Sequence, residues 1–414
     1  MTDTTEAPAA AAAETLSELE RMMGAEIRDP HAEWRRRRLQ APVLEGSPLV
    51  GAALEMAQAM GNDQPQFTAY SWGAVHEVLR NAEDFSSSGY DDSIGIVMGH
   101  MILAMDEPEH MAHRSLVAQA FRLKSMQDWE TAFIAPLIDE IIDTFADRGH
   151  ADLVEELTFV FPVQVIAAIL GLPRDDWAHF QRLSMELIGI VGDTERGLNA
   201  SAQLRDYFAE VLTERRANPQ QDVISELAQA EVDGEKLSDE AIFSFLRLLL
   251  PAGAETTFRS SSNLLYLLLT HPEQYEMVRK DRSLIPQAID EALRLEPPLT
   301  QIYRTATRDR DLFGTKITKG AMITPCMGAA NRDESVRDRP DEFDITRGKM
   351  IEHVAFASGP HMCLGMHLAR AETRVVLNAV MDRLPDLKLD LSADPHIRGV
   401  IFRSPNALPV TWRV

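Results

Sequence analysis

Residues 356 to 365 of the chain read FASGPHMCLG and place one cysteine, Cys363, between a glycine-rich turn and an amphipathic segment, 366–377. The segment has the periodicity of a helix, so the thiol would lie beside a helix N-terminus. Unpaired backbone N–H groups at such a position stabilise a thiolate, and we expect them to lower the pKa of Cys363. Gly359 and Gly365 let the backbone pass close to whatever the sulfur binds.

A lone cysteine is more often a packed core thiol than a ligand, so a buried side chain is the first alternative for Cys363. The loop, however, resembles the haem-thiolate loop of the cytochrome P-450 superfamily, Phe-x-x-Gly-x-His-x-Cys-x-Gly. Every fixed position matches: Phe356, Gly359, His361, Cys363 and Gly365. Ala357 stands where the family often has Gly. The resemblance implies that Cys363 is the axial thiolate of a haem and that Phe356, His361 and Gly365 help to bind this cofactor.

The composition is ordinary for a soluble globular protein, with 45% hydrophobic and 25% charged residues among 414. The chain has 41 basic and 64 acidic residues, a net charge of -23, which disfavours nucleic acid and anionic membranes as partners. Its two cysteines are too few for a disulfide framework or a tetrahedral zinc site. Residues 1–14 lack the basic and apolar regions of a signal peptide, and the most apolar stretch, 159–172, is too short to span a bilayer. We therefore expect a cytoplasmic protein.

The domain organisation is predicted to be simple. Residues 1–15 are alanine-rich and acidic, and we expect them to form a disordered tail. No repeat, Gly/Ser-rich linker or low-complexity block follows, so residues 16–414 are predicted to form a single domain. The resemblance implies the P-450 fold, which is mainly α with small β-sheets (α+β) and arranges its helices as a triangular prism around a buried haem.

A second motif begins at Pro108, which with its acidic neighbours is a good helix start. His110 and Arg114 then fall at i and i+4 on one helix face, where two cationic donors suit an anionic group. The alternative is an ordinary surface pair. The motif resembles the family's His-x-x-x-Arg, which implies that both side chains hold haem propionates. Arg304 matches a further family arginine with the same role.

A long helix is predicted from its cap at Ser238 to about residue 269, and it is apolar almost all round, which indicates burial. Pro251 and Gly253 disfavour helix beside Glu255 and Thr256. The alternative to a functional break is a kink with locally bonded hydroxyl groups. The segment resembles the family's Ala-Gly-x-(Asp/Glu)-Thr-Thr, which crosses over the haem where dioxygen binds. The resemblance implies that Glu255 and Thr256 are catalytic and deliver protons there.

Glu291 and Arg294 lie at i and i+3 on a predicted helix, 286–295. An exposed pair of this kind contributes less than about 1 kcal/mol. The pair resembles the family's Glu-x-x-Arg, and Arg347, which follows Pro-Asp-Glu-Phe at 340–343, matches the third member of that motif. The resemblance implies a structural network without a catalytic role.

Residues 85–105 have weak periodicity, and a loop of this length inside a compact domain is usually functional. Its apolar side chains are expected to face a cavity, together with side chains of the interrupted helix and of two later segments. The predicted substrate pocket is lined by Ile94, Ile96, Val97, Met98, Leu248, Leu249, Ala252, Leu299, Ile302, Ile401 and Phe402. Terpenoids, steroids, fatty acids and aromatic compounds all stay open as substrates.

The resemblance implies a monooxygenase that inserts one atom of dioxygen into a small apolar molecule by hydroxylation, with haem b as its cofactor. Two electrons must come from outside, because the sequence has no Gly-x-Gly-x-x-Gly after a strand and too few cysteines for an iron–sulfur cluster. We expect a ferredoxin and a ferredoxin reductase as donors. A basic docking patch is predicted to include Arg122, Lys124, Lys349 and Arg370. The alternatives are a peroxide-driven peroxygenase of the same fold, which the Glu255–Thr256 pair disfavours, and a non-catalytic haem sensor or carrier.

Overall fold

A computed structural model describes residues 27–59, 64–188, 194–232, 234–348 and 352–414. The predicted tail, 1–15, and Lys349 lie outside these ranges. The described chain is rich in helices and carries several small sheets, which confirms the predicted fold class. The extent of the single domain stays a prediction.

Side-chain caps mark several helix starts. The hydroxyl oxygens of Ser71 and Ser238 and the carboxylate of Asp222 each accept a hydrogen bond from a backbone N–H in the first turn that follows. The α-helices are α1 His31–Gln40, α2 Gly51–Ala59, α3 Trp72–Arg80, α4 Gly95–Met98, α5 Glu109–Val117, α6 Leu123–Trp129, α7 Ala135–Asp143, α8 Phe161–Ile169, α9 Trp177–Ile188, α10 Thr194–Ala217, α11 Val223–Gln229, α12 Asp239–Leu250, α13 Thr256–Thr270, α14 Pro272–Lys280, α15 Ile285–Leu295, α16 Met327–Ala330 and α17 Met366–Arg383.

The strands are short and lie beside the helical body. They are β1 Val43–Glu45, β2 Gln66–Ala69, β3 Phe85–Ser86, β4 His150–Asp152, β5 Glu231–Val232, β6 Glu235–Lys236, β7 Arg304–Ala306, β8 Arg310–Leu312, β9 Thr315–Ile317, β10 Met322–Pro325, β11 Lys388–Leu389, β12 Ile397–Arg398, β13 Ser404–Pro405 and β14 Pro409–Thr411.

The largest sheet has the order β1-β2-β10-β7-β3. Strands β2 and β10 run parallel, with Met322 opposite Gln66, and the other neighbours are antiparallel. A second sheet has the order β11-β14-β4, and β5-β6, β8-β9 and β12-β13 form pairs. Strand β7 lies between β10 and β3, and the pairing of Arg304 with Ile323 of β10 fixes the backbone of Arg304.

Helices α7, α13, α15 and α17 pack against one another in the middle of the molecule. Helix α13 is buried over most of its length although it carries several hydroxyl groups. These groups are satisfied inside the protein: Ser262 Oγ lies 2.7 Å from Thr158 Oγ1, and Ser261 Oγ lies 3.3 Å from Thr373 Oγ1 of α17. Because α17 follows Cys363 directly, its packing on α13 brings the cysteine loop to the centre of the fold.

The long helix predicted from Ser238 onward is two helices, α12 and α13, joined by a π-helical turn over Pro251–Glu255. The predicted long helix is therefore present, and its predicted interruption at Pro251 takes the form of this turn. Pro251 has no N–H to donate and its ring displaces the preceding carbonyl, so a wider turn accommodates it. The turn ends at Glu255, and Thr256 begins the second helix.

The segment 85–105 is more structured than predicted. It contains β3, a helical turn at Ser88–Tyr90 and the short helix α4, which packs on α10 and α12. Val97 and Met98 are buried there. None of the helices in the described part of the chain combines the length and the apolar character needed to span a membrane.

Candidate active site

The cysteine loop is a compact turn closed by its own backbone. The N–H of Cys363 donates to the carbonyl of Phe356 at 2.9 Å, and the N–H of Met362 donates to the carbonyl of Gly359 at 3.1 Å. Gly359 has φ +76, and a Cβ added to it would lie 2.8 Å from the backbone of Arg80. Only glycine therefore fits this position of the turn. Helix α17 begins three residues after the cysteine, as the sequence predicts.

The pKa of the Cys363 thiol differs from the prediction. The side chain of Cys363 is accessible, yet the chain surrounds it closely enough that burial raises the pKa of the thiol. The Gly365 N–H, Arg114 and Arg370 all oppose this rise, as expected of groups that stabilise a thiolate. The predicted lowering of the pKa was therefore wrong, because loss of hydration outweighs these groups in the free thiol. A coordinated metal ion would deprotonate the sulfur outright.

His110 and His361 stack beside the loop. Their ring centroids lie 3.9 Å apart with 31° between the planes. His110 Nδ1 lies 3.1 Å from Glu107 Oε1, and His361 Nε2 lies 3.1 Å from Ser87 Oγ. Burial, and next the charge of Arg304, lower the pKa of His361 to about 3. His361 is therefore a neutral hydrogen-bonding group at pH 7, a property that the sequence does not reveal.

Two arginines complete the cluster. Arg114 Nη2 donates to the Met362 carbonyl at 2.5 Å, next to the cysteine. Arg304 Nη1 donates to the Tyr303 carbonyl at 2.8 Å. Burial lowers the pKa of both guanidinium groups, which stay charged at pH 7.

The donors of this cluster fit the propionates of a haem. Among the described residues, His110 Nε2 and Arg304 Nη2 are buried without a hydrogen-bond partner. Most buried polar groups in folded proteins have a partner, so two unpaired donors beside the cysteine loop fit a bound group that accepts hydrogen bonds. An anion at this edge and iron at Cys363 would satisfy both the donors and the sulfur.

The predicted catalytic pair lies at the π-helical turn. Thr256 Oγ1 donates to the Ala252 carbonyl at 2.7 Å, across the turn. Glu255 is 6% exposed, and its Oε1 accepts from Arg259 Nη2 at 3.0 Å. Arg259 and the surrounding chain cover the acid. The i, i+4 spacing of Glu255 and Arg259 was the signal that could have revealed this partner.

Helix α17, which follows the cysteine loop, contacts the start of α13 next to the π-helical turn. Glu372, two turns into α17, is bonded to Thr257 at the start of α13. Burial raises the pKa of Glu372 to about 8, and the hydrogen bond with the Thr257 hydroxyl only partly compensates. Sequence reasoning missed Glu372, because nothing in its spacing shows that this face of α17 is buried.

The predicted structural network is assembled and buried. Arg294 donates twice to Glu291, at 2.7 Å from Nε and from Nη2, and both side chains are 1% exposed. Arg347 Nε donates to the same carboxylate at 2.9 Å. Arg294 also donates to the carbonyls of Pro340 and Glu342, which holds the loop before Arg347 against α15. Because both side chains are buried, the small stability contribution of an exposed pair does not apply to Glu291 and Arg294.

The predicted pocket residues fall into three groups. Leu248, Leu249 and Ala252 lie on α12 and its π-helical turn and keep accessible surface. Leu299 forms a bridge with Phe402, and the Thr300 N–H donates to the Ile401 carbonyl, so these two segments and the nearby Ile302 form one wall. The third group is on and beside α4: Ile94, Val97 and Met98 pack into the core. Ile96 was the exception, because it is 71% exposed and points away from that packing.

The proposed docking cations have different environments. Arg122 and Lys124 are exposed beside the start of α6. Arg370 is engaged: its Nε lies 3.0 Å from Asp290 Oδ1, and its guanidinium stacks 4.6 Å from the centre of the Phe356 ring. Arg370 therefore supports the cysteine loop and contributes little free charge to a docking surface.

Comparisons with known proteins agree on one family. A family model described as Cytochrome P450 matches residues 172–385. The putative cytochrome P450 YjiB of Bacillus subtilis is 37% identical over 345 residues, which cover 81% of this chain and 86% of that protein. The steroid C26-monooxygenase of Mycolicibacterium smegmatis is 36% identical over 380 residues, covering 87% and 93%. The crystal structure of CYP109E1 from Bacillus megaterium in complex with testosterone is 31% identical and superposes with a TM-score of 0.83, covering 93% of this chain and 100% of that one.

Proposed function

The chain belongs to the cytochrome P450 family and is a haem-dependent monooxygenase, and on that premise we propose that it hydroxylates a small apolar molecule with electrons from a separate redox partner. The related steroid C26-monooxygenases and the testosterone complex favour steroids and molecules of similar size among the substrates left open by the sequence. We propose haem b as the cofactor. The two cysteines, at 326 and 363, cannot form the Cys-x-x-Cys-His sequence to which haem is attached covalently.

One observation carries this proposal: in the described part of the chain, His110 Nε2 and Arg304 Nη2 are buried donor atoms without a hydrogen-bond partner, and both residues lie beside the loop of the accessible Cys363. Cys363 offers the iron ligand, and His110 and Arg304 offer unpaired donors to the anionic edge of the macrocycle. Arg114 connects these donors to the cysteine loop, because it donates a hydrogen bond to the carbonyl of Met362, the residue before Cys363. A haem bound here activates dioxygen for attack on a C–H bond.

The residues of this chain have separate tasks in that reaction. Thr256 holds a hydroxyl group at the π-helical turn, where it can donate a hydrogen bond or pass a proton. Glu255 is an acid next to it, and its carboxylate faces the guanidinium of Arg259 at 3.0 Å. To deliver protons, Glu255 must exchange this arginine for water, so the ion pair controls the relay. Leu248, Leu249 and Ala252 present an apolar surface beside it, which keeps bulk water away and orients the substrate.

Spectroscopy of the haem-loaded protein tests the ligand. The reduced protein is expected to show the red-shifted carbon monoxide difference band of thiolate-ligated haem, and Cys363→Ala is expected to abolish it. Cys326→Ala is the matched control, since Cys326 is buried and burial raises the pKa of its thiol to about 12. Retention of the band in Cys363→Ala would overturn the proposal.

The proton relay has its own test. We expect Thr256→Ala to keep consuming dioxygen and reductant while product falls and hydrogen peroxide rises. Thr270→Ala is the control, because Thr270 makes the same hydrogen bond to the carbonyl four residues earlier at the far end of α13. Turnover with hydrogen peroxide and no reductant, unaffected by Thr256→Ala, would instead support a peroxygenase. Unchanged behaviour in every assay would support a haem sensor or carrier.

An acidic ferredoxin is the proposed electron donor. Arg122 and Lys124 are exposed cations on a strongly acidic protein, so reversing both charges should slow reduction and weaken its dependence on salt. Reversing the exposed Lys316 and Lys319 at the β8–β9 hairpin gives the same change in net charge as a control. Equal reduction rates in both double variants would exclude the proposed patch.

A further inference from the structure

Arg247 is a buried arginine on α12 whose charge has no close partner. It is 8% exposed; its Nε donates to the Phe243 carbonyl at 3.3 Å and its Nη1 to Ser201 Oγ at 3.1 Å. Within the described ranges Nη2 makes no hydrogen bond, and no carboxylate oxygen lies within 4.0 Å of the guanidinium. Glu240 acts on it only at longer range, and burial lowers its pKa. A guanidinium nevertheless stays charged in a protein.

Several other buried arginines in the described part of the chain are compensated by a carboxylate. The pairs are Arg294–Glu291 at 2.7 Å, Arg259–Glu255 at 3.0 Å and Arg403–Glu296 at 2.8 Å. Arg304 faces no carboxylate at such a distance, and its unpaired donor is the one that fits a haem propionate. Because an isolated buried charge is costly, a buried arginine with spare donors indicates an anion that arrives from outside the chain.

The guanidinium of Arg247 lies where α4, α10 and α12 meet. Ser201 of α10 donates to the Val97 carbonyl at 2.6 Å, and Ser244 of α12 donates to the His100 carbonyl at 2.9 Å. A Cβ added to Gly99 would lie 3.1 Å from Arg247 Nη2, so the free end of the guanidinium faces the turn that follows α4. Arg247 is thus beside the predicted pocket residues Val97, Met98 and Leu248.

The distance between Arg247 and the catalytic pair determines how long a ligand must be to reach both. Arg247 precedes Thr256 by nine residues, about 13 Å along a helix axis. A molecule that reached from Arg247 to the oxygen-binding side of the haem would need an apolar body of roughly that length. A steroid nucleus or a medium-length acyl chain satisfies this requirement.

We propose that Arg247 binds the carboxylate of an amphipathic substrate whose apolar body extends along α12 towards Thr256. A single guanidinium suits a monoanion, and the net charge of -23 disfavours anions of higher charge. Arg247 is then a specificity-determining residue that selects acids over neutral compounds of the same shape. This inference rests on the proposed function, because it assigns the substrate class of the same site.

Binding titrations of the haem-loaded protein test the inference without turnover. Dodecanoic acid and cholanic acid are each compared with their methyl esters by the substrate-induced shift of the Soret band. At neutral pH we expect at least one acid to bind about tenfold or more tightly than its ester. Arg247→Met should remove this difference, and Arg247→Lys should keep part of it. Equal affinities of acid and ester in both pairs for the unmodified protein would overturn the inference.

Two controls separate recognition from a bracing role. Arg216→Met removes an exposed arginine of α10 that is paired with Asp239, so it makes the same change in net charge and should keep the preference for acids. If Arg247 only stabilises the packing of α4, Arg247→Met will weaken the binding of acid and ester equally, and the inference fails. The carbon monoxide difference band is recorded for every variant. A normal band with no preference for acids refutes this inference alone, whereas loss of the band in the unmodified protein refutes the proposed function.

Discussion

Arg259 Nη2 lies 3.0 Å from Glu255 Oε1, one helical turn away, and the two side chains are only 4% and 7% exposed. Arg259 Nη1 also donates to Ser404 Oγ of β13 at 3.0 Å, and its guanidinium lies 5.4 Å from the centre of the Phe402 ring. The acid of the catalytic pair is therefore connected through one side chain to a wall of the predicted pocket. A ligand that moves Phe402 would also change the environment of Glu255.

Removing Arg259 should destabilise the protein strongly. Arg259→Met removes the cation that faces the buried Glu255 carboxylate, and we expect the free energy of unfolding to fall by about 3 kcal/mol or more. Urea unfolding at neutral pH measures this change.

The double variant identifies the cause of that loss. When Glu255→Gln is added to Arg259→Met, no unpaired charge is left, so much of the lost stability should return. Additive losses in the two single variants would show that the packing of Arg259 matters more than its ion pair.

Glu372 should make stability depend on pH in the direction opposite to most acids. Below pH 4.5 its carboxyl is protonated in both states; between 4.5 and about 8 the folded protein keeps a proton that the unfolded chain releases. Stability from this group therefore falls as pH rises through that window and is constant above it. Glu372→Gln should remove the slope and be more stable than the parent by about 3 kcal/mol at pH 7.

Unfolding measured at several pH values checks this expectation. Glu214→Gln is a control on an exposed carboxylate, although Glu214 pairs with Arg215. A parent and a Glu372→Gln variant with parallel pH profiles would show that Glu372 is ionised in the folded protein.

Local sequence patterns predicted which residues form the site, but they did not predict the pKa values and long-range contacts of these residues. The cysteine loop, the His110 and Arg114 spacing and the Glu291 and Arg294 spacing are local, so the sequence carried them directly. The pKa of His361 and the pairing of Arg370 with Asp290 depend on contacts between residues far apart in the chain, which no local pattern encodes. Ile96 was assigned to the pocket because its neighbours are apolar; in a four-residue helix with weak periodicity, the side that faces outward cannot be predicted.

Two substitutions in the cysteine loop are expected to change stability in opposite directions. Ala357 has φ +58, a left-handed conformation that favours glycine. Ala357→Gly should relieve this strain and raise stability by up to about 1 kcal/mol. Gly359→Ala should do the reverse and more, because its Cβ would collide with the backbone of Leu79 and Arg80. Thermal unfolding and haem retention of both variants check the prediction, and a destabilised Ala357→Gly would contradict it.

The buried network around Glu291 should be far more sensitive than an exposed pair with the same spacing. Glu291 accepts from Arg294 and Arg347 and also from the backbone N–H of Asp344 at 3.0 Å. Glu291→Gln keeps the shape but leaves two arginines without their charge partner, so we expect a loss of about 3 kcal/mol or more. Glu276→Gln is the matched control, because Glu276 pairs with Arg279 at i and i+3 on the surface of α14. Its loss should be much smaller, since solvent replaces an exposed partner easily. Equal losses in the two variants, measured by urea unfolding, would show that burial does not set the importance of this network.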